Sequence, residues 1–370
     1  MLVWRPGVVE APRVGRENPS DQREQFRHPT RRDVSQPSIR EVARRAGVSV
    51  GTVSNVLNRP NIVAEATRDR VLAAIEELGF VRNESARRLR QHPDEPRPAA
   101  RARAFGVVVE DLTNPYASDV ARGAELAFEE AGFETLWLST DHSADRERRA
   151  LELLAEQRAT GALVSSVEDG PDRLGRWRES GMCVVLLDRA GPDFCSAQVD
   201  HVAGGDIAAA HLLTLGRDRM VFVTGVPEPQ PVAERAEGAA RTLVKAGGGD
   251  LSVLTQDGLT PSAGRAAAHR LLALSPRPTG VFCANDLLAI GVVNELIHLG
   301  VRVPEDVAVI GYDDIELAGS AAVPLTTIRQ PRRELGWEAA ELAMAEVAEG
   351  PSHEHRQVVL RPELVIRESA

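Results

Sequence analysis

Residues 38–58 read SIREVARRAGVSVGTVSNVLN, and this stretch decides how the amino-terminal part of the chain folds. Apolar residues at positions 39, 42, 43 and 46 follow the i, i+3, i+4, i+7 spacing of an amphipathic helix. Gly47-Val48 interrupts that helix, and Ser49 is placed to cap a second one. The second helix is expected to bury Val53, Val56 and Leu57 and to expose the polar and small residues between them.

A third apolar stripe, formed by Val71, Ala74, Ile75 and Leu78, predicts a helix that ends at Gly79. Three short helices joined by a tight turn are typical of a helix-turn-helix, whose second helix enters the major groove of DNA. A purely structural bundle shows the same pattern, and a solvated charged bundle could also carry a positive charge. The whole chain carries a net charge of −10, whereas residues 38–90 hold ten arginines and six acidic residues, a net +4. A basic module on an acidic body favours DNA binding by the module.

The motif over 38–49, followed by Thr52–Asn58, resembles the lactose/galactose repressor family of transcription regulators. The resemblance continues through 65–68, 73–79 and 83–89 and covers most of the remaining chain. It implies a repressor that binds double-stranded operator DNA, with Val50, Gly51 and Asn55 facing base edges. The implied phosphate contacts come from Ser49, Thr52, Ser54 and Asn58.

Residues 84–91 are too few to form a stable helix in isolation. By the same resemblance they form a hinge helix that orders in the minor groove, with Leu89 wedged between base pairs and Ala86 and Arg90 beside it. The alternative is a plain linker with a buried leucine. Composition sets the other boundaries, because residues 1–37 are polar and proline-punctuated and residues 92–103 contain three prolines among alternating charges. We expect a disordered extension, a DNA-binding domain over 38–83, the hinge, a linker, and a large domain over 104–370.

The large domain alternates apolar strand-like runs with helical stretches, which predicts parallel, doubly wound α/β sheets. The predicted strands are 105–109, 135–138, 162–164, 184–187, 221–224, 251–254, 281–283 and 307–310. The family resemblance implies the two-lobed type I periplasmic-binding-protein-like fold. Lobe one is expected to span 104–200 plus about 329–352, and lobe two 201–327 plus about 353–370.

Polar residues follow several of these strands, at the edge where ligands bind in open α/β sheets. The resemblance implies six effector-binding positions: Tyr116, Asp188, Arg235, Phe282, Asn285 and Asp313. Each polar one could instead be a helix cap or an interlobe ion pair. Carboxylates, a guanidinium and an amide in one cleft suit a hydroxyl-rich ligand such as a sugar, because a hydroxyl both donates and accepts. A nucleobase or another small metabolite stays open, and Asp200 is expected near the cleft or hinge.

Two rival classes fit the sequence less well. An exported sugar-binding protein would need a secretion signal, and we find neither such a signal nor an apolar run long enough to span a membrane. An enzyme could use Asp188, Asp200 and Asp313, or Asp141-His142, as acid and base. No phosphate-binding glycine motif, nucleophile elbow or metal-spaced His/Cys set accompanies them, so we expect no enzyme, cofactor or metal.

Three widely spaced cysteines favour a reducing cytoplasm over a disulfide framework. Paired half-sites in an operator need paired DNA-binding heads. Because no apolar heptads follow at the carboxyl end, we expect a homodimer through the large domains rather than a tetramer.

Overall fold

The structure is a computed structural model that describes residues 37–80, 104–165, 172–226, 229–247 and 251–370, apart from the side chains at positions 58, 172 and 173. The chain divides into two compact units, residues 1–98 and 99–370. The predicted hinge helix, the predicted linker and all but the last residue of the predicted extension lie outside the described residues.

The described part of the amino-terminal unit contains α1 (Ile39–Ala46), α2 (Val50–Asn58), a 3-10 turn (Pro60–Ile62) and α3 (Glu65–Leu78). Ser38 begins α1 in a reciprocal capping box, because its Oγ accepts from Glu41 N and Glu41 Oε2 accepts from Ser38 N at 2.6 Å. Gly47 ends α1 with a φ of 65°, a left-handed conformation that glycine adopts without strain. Fully buried Val42, Val53 and Val71 join the three helices in one core, which confirms the predicted bundle.

The third helix differs from the first two in how it begins. Ala64 occupies its N-cap position, and no side chain accepts a hydrogen bond there. Gly79 ends it with a φ of 61°, as predicted.

The large unit contains two six-stranded sheets within the described residues. The first is built from β1 (Ala104–Val109), β2 (Glu134–Ser139), β3 (Gly161–Val164), β4 (Cys183–Leu187), β5 (Cys195–Val199) and β11 (Gln357–Leu360). The second is built from β6 (Met220–Gly225), β7 (Ser252–Gln256), β8 (Gly280–Cys283), β9 (Ala308–Asp313), β10 (Thr326–Arg329) and β12 (Glu363–Val365). Their orders, β11-β5-β4-β3-β1-β2 and β12-β10-β9-β8-β6-β7, are equivalent, so the predicted two-lobed fold is confirmed.

The lobes differ at one edge. The last strand of lobe one, β11, runs parallel to β5, whereas the last strand of lobe two, β12, runs antiparallel to β10. The chain therefore visits lobe one over 357–360 before it crosses, and our assignment of residues from about 353 to lobe two was wrong at this strand. Edge strands β11 and β12 and strand β5 are short and half-polar, so they lack the continuous apolar run that marks buried strands. They and β10 were absent from the predicted set.

The described helices of the large unit cover these sheets. They are α4 (Pro115–Glu130), α5 (Ala144–Glu156), α6 (Asp172–Glu179), α7 (His201–Thr214), α8 (Gln230–Lys245), α9 (Pro261–Ala273), α10 (Asp286–His298), α11 (Glu316–Ser320) and α12 (Arg332–Glu349). The returning helix α12 packs on α4 of lobe one.

Glycines let three helix pairs approach unusually closely. A Cβ on Gly336 of α12 would lie 1.9 Å from the Val120 carbonyl oxygen of α4, and one on Gly238 of α8 would lie 2.0 Å from the Val202 oxygen of α7. The pair α9–α10 repeats the arrangement through Gly264, whose Cβ would meet the Leu288 oxygen at 2.1 Å. Such contacts hold each helix pair in a single register, because any side chain at these positions would overlap backbone atoms.

Candidate functional site

The second helix of the amino-terminal bundle, α2, presents an uncharged surface of small side chains. Ser49 caps it, since its Oγ accepts from Thr52 N at 3.0 Å and lies 2.9 Å from Thr52 Oγ1. Val50 is 38% exposed, and Gly51 and Asn55 are also exposed, so all three are available to a groove. Thr52 and Ser54 are half-buried at the flank of this face. The side chain of Asn58 and residues Ala86, Leu89 and Arg90 lie outside the described residues.

A second candidate site is a cavity of about 510 Å³ between the two lobes of the large unit. Lobe one contributes four carboxylates to its wall: Glu110, Asp111, Asp141 and Asp188. Lobe two contributes neutral residues, among them Leu259, Thr260, Asn285 and Leu287. No lysine or arginine is among the described residues that line it. The wall therefore offers mainly hydrogen-bond acceptors.

Asp188 is the most constrained of the four carboxylates. It follows β4 with a φ of 52°, a left-handed conformation that aspartate tolerates better than most residues and that turns the chain at the strand end. The hydroxyl of Tyr116, at the start of α4, donates a very short hydrogen bond to its Oδ2. Tyr116 is in turn positioned by Asn114, whose Oδ1 accepts from Tyr116 N at 3.1 Å as the N-cap of α4.

A network of buried side-chain hydrogen bonds continues from Asp188 into lobe two. Asp188 Oδ1 lies 3.4 Å from His201 Nε2, and His201 Nδ1 lies 3.2 Å from the Tyr312 hydroxyl. Arg235 Nε donates to the same Nδ1 at 3.4 Å. Since Nδ1 accepts, the imidazole proton lies on Nε2 and is donated to Asp188. This network thus links the Asp188 carboxylate on the cavity wall to the interior of lobe two.

The protonation states follow from burial and neighbouring charge. Burial acts to raise the pKa of Asp188, but the hydrogen bonds from His201 and Tyr116 and the positive charge of Arg235 bring it below its ordinary value. Burial and the positive charge of Arg235 lower the pKa of His201. At neutral pH an ionised Asp188 therefore accepts from a neutral imidazole, and the two do not form an ion pair.

Glu110 differs from Asp188 although both line the same wall. Burial, followed by the charge of Asp188, raises the pKa of Glu110 to about 7. Its Oε2 lies 3.6 Å from His142 Nδ1. The cavity consequently holds one firmly ionised carboxylate and one that is half-protonated near neutral pH.

The sequence of the chain matches known proteins over both units. Residues 38–83 match the model described as "Bacterial regulatory proteins, lacI family", and residues 209–370 match a periplasmic binding protein-like domain. The HTH-type transcriptional repressor PurR of Photobacterium profundum is 35% identical over 337 residues, which cover 90% of this chain and 98% of that protein. The chain belongs to the lacI family.

Two further relatives bear on the lacI-family fold and its role. The ribose operon repressor of Escherichia coli (strain K12) is 35% identical over 338 residues, covering 90% of this chain and 99% of that protein. A solved transcriptional regulator CelR–cellobiose complex is 31% identical, with a TM-score of 0.65, and covers 90% of this chain and all of that one. This lacI-family chain is accordingly a DNA-binding transcription regulator with the repressor architecture.

The structure of this lacI-family regulator brings three of the six expected effector positions to the cavity wall: Tyr116, Asp188 and Asn285. Asn285 has a dual role, since its Oδ1 caps α10 through Leu288 N at 2.9 Å while its Nδ2 donates to the Leu259 carbonyl at 3.2 Å. The oxygen and the nitrogen of this one side-chain amide are engaged at once, which fixes the side chain beside the cavity.

The other three expected positions lie behind the wall. Arg235 lies inside α8, not at its start, with its guanidinium 3.9 Å above the Tyr312 ring and Nη1 donating to the Ala284 carbonyl at 2.5 Å. Phe282 is fully buried against Tyr312, with ring centroids 6.3 Å apart. Asp313 is 3% exposed and accepts from Gln330 Nε2 at 2.6 Å, while burial raises its pKa to about 6. None of these three side chains is among the residues that line the cavity, and their assignment to effector binding stays a prediction.

Several wall residues were not among the expected effector positions. Glu110 and Asp111 directly follow β1, so the strand-end rule that selected Asp188 could have found them. Asp141 and His142 follow β2 in left-handed conformations and were considered only as an acid–base pair. Thr260 caps α9 by accepting from Ala263 N at 3.2 Å. Asp200, expected near the hinge, caps α7 through Ala203 N at 2.9 Å, where the chain enters lobe two.

Among the described residues, no helix combines the length and the apolar character needed to cross a membrane. None of the three cysteines, all buried, forms a disulfide.

Proposed function

We propose that this regulator represses transcription from an operator and that a small, neutral, hydroxyl-rich effector, a sugar, binds between its lobes and alters operator affinity. The observation that carries the proposal is the charge of the cavity wall: four carboxylates and no lysine or arginine among its described residues. Carboxylates accept hydrogen bonds and repel anions. Sugar hydroxyls can donate to them, whereas a phosphate group would lie against like charge.

The shape of the site supports the same class of ligand. A cavity of about 510 Å³ falls within the range of small-molecule pockets. Apolar residues such as Leu187, Leu259 and Leu287 provide surfaces for the C–H faces of a sugar ring. The relatives named for a ribose operon and a cellobiose complex are consistent with such a ligand.

On the DNA side, the proposal keeps the assignments made by resemblance. Val50, Gly51 and Asn55 face base edges, and Ser49, Thr52, Ser54 and Asn58 contact phosphates. Ala86, Leu89 and Arg90 contact the minor groove. The regulator acts as a homodimer in the cytoplasm, where the operator is, and it catalyses no reaction. The exposure of Val50, Gly51 and Asn55 on a capped helix supports this arrangement.

Coupling between effector and operator would begin at Asp188. A ligand that hydrogen-bonds this carboxylate competes with or tightens its contacts to Tyr116 of lobe one and His201 of lobe two. The relative stability of the open and closed lobe arrangements then depends on the ligand. Such coupling is typically worth about 1–3 kcal/mol, a roughly 5–150-fold change in operator affinity.

The test combines thermal shift and calorimetry on the full-length chain with three ligand sets: neutral sugars, their phosphate esters, and nucleobases. A neutral sugar should bind, and Asp188→Asn should weaken it by about 10–100-fold, since a hydrogen bond to a charged group is worth about 1.5–3 kcal/mol. Preferential binding of a phosphate ester or a nucleobase would contradict the effector class.

Operator binding is tested separately, by anisotropy with a labelled operator fragment selected from the genome. Asn55→Ala and Leu89→Ala should each lower operator affinity while leaving sugar binding unchanged, because neither residue belongs to the large unit. Wild-type operator affinity in both variants would refute the DNA-contact assignment without touching the effector proposal.

A further inference from the structure

Four potential metal ligands converge in lobe one, at the opposite end of the first sheet's strands from the cavity. Cys195 begins β5, Glu346 lies in α12, and His353 and His355 lie just before β11. One ligand atom from each lies within 4.8 Å of all the others. Sequence spacing shows no metal motif here, because the cysteine and the histidines are more than 150 positions apart and only folding brings them together.

The separations agree with the edges of a tetrahedral site. Cys195 Sγ lies 3.0 Å from His353 Nε2 and 3.8 Å from His355 Nδ1, and His355 Nδ1 lies 3.7 Å from Glu346 Oε2. Bonds of 2.0–2.3 Å to zinc at tetrahedral angles place ligand atoms about 3.3–3.6 Å apart. Three of the six separations therefore lie within about half an ångström of a tetrahedral edge. The other three are within 4.8 Å, so a cation at the centre would draw the ligand atoms together.

Hydrogen bonding within the cluster leaves acceptors unmatched. Glu346 Oε2 is buried and accepts no hydrogen bond of good geometry among the described residues, although the Cys195 thiol lies beside this carboxylate. His353 Nδ1 lies 2.8 Å from Glu349 Oε2, and donation to that carboxylate leaves the Nε2 lone pair facing Cys195 Sγ. Lone pairs of Glu346 Oε2 and His353 Nε2 thus face the Cys195 sulfur. A cation can bond to all three atoms, whereas the single thiol proton can be donated to only one acceptor.

The surroundings resemble those of built metal sites. A histidine ligand that donates its other nitrogen to a carboxylate, as His353 does to Glu349, is the usual outer-shell arrangement. Arg356 secures that carboxylate through Glu349 Oε1 at 2.5 Å. A cavity of about 430 Å³ lined by Glu346, His353 and His355 gives access from solvent. One contact opposes binding, since Arg178 Nη1 lies 3.4 Å from His355 Nε2, but the same nitrogen also donates to the Asp193 carbonyl at 2.7 Å and can remain there.

We propose that Cys195, Glu346, His353 and His355 bind a divalent cation of the zinc class in a closed, tetrahedral, structural site. One thiolate, two imidazoles and a carboxylate form a donor set that suits zinc better than magnesium or calcium. Binding replaces the Cys195 thiol proton, which is released to solvent, with a metal–sulfur bond. The metal would join β5 to the start of β11, where the backbone of Ser196 already donates to the Arg356 carbonyl at 3.0 Å.

The test uses the tag-free, full-length chain after chelator treatment, with ZnCl₂ in calorimetry and CoCl₂ in absorption spectroscopy. We expect one ion per chain, intense visible bands of tetrahedral cobalt, and a near-ultraviolet thiolate-to-cobalt band. Cys195→Ser should abolish the thiolate band. Glu349→Gln should keep the band but weaken binding about 10–100-fold, because it removes only the outer carboxylate.

Matched controls separate the cluster from incidental binding. Cys283→Ala changes a buried cysteine of lobe two, and His269→Gln changes an exposed histidine, so both should bind metal like wild type. Because Cys195 is fully buried and its variant could misfold, His355→Gln provides a second, more exposed change that should weaken binding. The absence of a thiolate band in the wild type, or wild-type affinity in both Cys195→Ser and His355→Gln, would overturn the proposal.

Discussion

The two lobes share a strand order but bring opposite chemistry to the cavity between them. Lobe one places four carboxylates on the wall, whereas lobe two places an amide, a hydroxyl and leucines there. Lobe two does contain Arg235 and Asp313, but both turn inward and are buried. Strand order therefore fixes where the cavity lies, while the direction of individual side chains fixes the chemistry of its wall.

The largest expected effect tests whether Arg235 stabilises the fold or contacts the ligand. Arg235→Ala removes a guanidinium that stacks on Tyr312 and offsets the charges of Asp313 and Asp188. We expect the free energy of unfolding to fall by about 3–5 kcal/mol, the usual cost of leaving buried charge uncompensated. Urea denaturation measures it.

Arg241→Ala is the matched control on the same helix, because its pair with Asp206 is partly exposed and should contribute no more than about 1 kcal/mol. If Arg235→Ala kept wild-type stability but lost effector binding, the guanidinium would contact the ligand. The two lobes would then not differ in chemistry as described above.

The next test asks whether the lobes are built alike. Gly336→Ala in lobe one and Gly238→Ala in lobe two each place a Cβ within about 2 Å of a backbone oxygen. Both should therefore destabilise the protein by about 3 kcal/mol, because overpacking against backbone cannot be relieved by a side-chain rotation. Thermal melts of the two variants measure it.

Gly175→Ala supplies the control, since Gly175 lies in α6 and a Cβ there meets nothing within 4 Å. It should stabilise slightly, by up to about 1 kcal/mol, through helix propensity. Unequal losses for Gly336→Ala and Gly238→Ala would show that the equivalent helix pairs do not support their lobes equally.

The sequence predicts where the cavity lies better than it predicts which side chains reach it. Asp188 and Asn285 were found because the carboxyl ends of parallel strands meet at one sheet edge, and Glu110 could have been found by the same rule. Whether Arg235 reaches the cavity depends on the rotation of α8 about its axis, which the close packing of Gly238 of α8 against α7 and of Gly205 of α7 against α8 fixes. Periodicity does not contain that information.

The strands show a similar limit. Buried strands such as β1 and β4 are continuous apolar runs and were predicted, whereas edge strand β11 alternates half-buried and exposed residues and was not. The position of β11 in lobe one also assembles the Cys195 cluster. One missed edge strand therefore concealed both a lobe boundary and a candidate metal site.

A pH-dependent effect is expected from Glu110, whose pKa differs from that of Asp188 in the same cavity wall. Burial raises the pKa of Glu110 from 4.5 to about 7, so between these values the folded state holds a proton that the unfolded state has released. Its contribution to stability is full below pH 4.5 and is lost as pH rises toward 7. Glu110→Gln should abolish this loss and be more stable than wild type by up to about 3 kcal/mol at pH 8.

Denaturation at pH 4.5, 6 and 8 measures the difference between the two proteins. Asp313, whose pKa burial raises to about 6, contributes a dependence of the same sign but is present in both, so it cancels in the comparison. A difference that stays constant with pH would mean that Glu110 is ionised throughout, with His142 and Arg189 compensating for it.

The smallest expected effect compares two helix caps that line the cavity, Asn114 of lobe one and Thr260 of lobe two. Each accepts one backbone hydrogen bond, so Asn114→Ala and Thr260→Ala should each cost about 1 kcal/mol of stability. Their effects on the effector should differ, because only Asn114 positions Tyr116, and Tyr116 holds Asp188. Asn114→Ala should weaken effector binding several-fold while Thr260→Ala leaves it nearly unchanged, and Asn114→Ser should restore both cap and affinity. Equal losses of affinity would mean that the hydroxyl of lobe two contacts the ligand as directly as the carboxylates of lobe one.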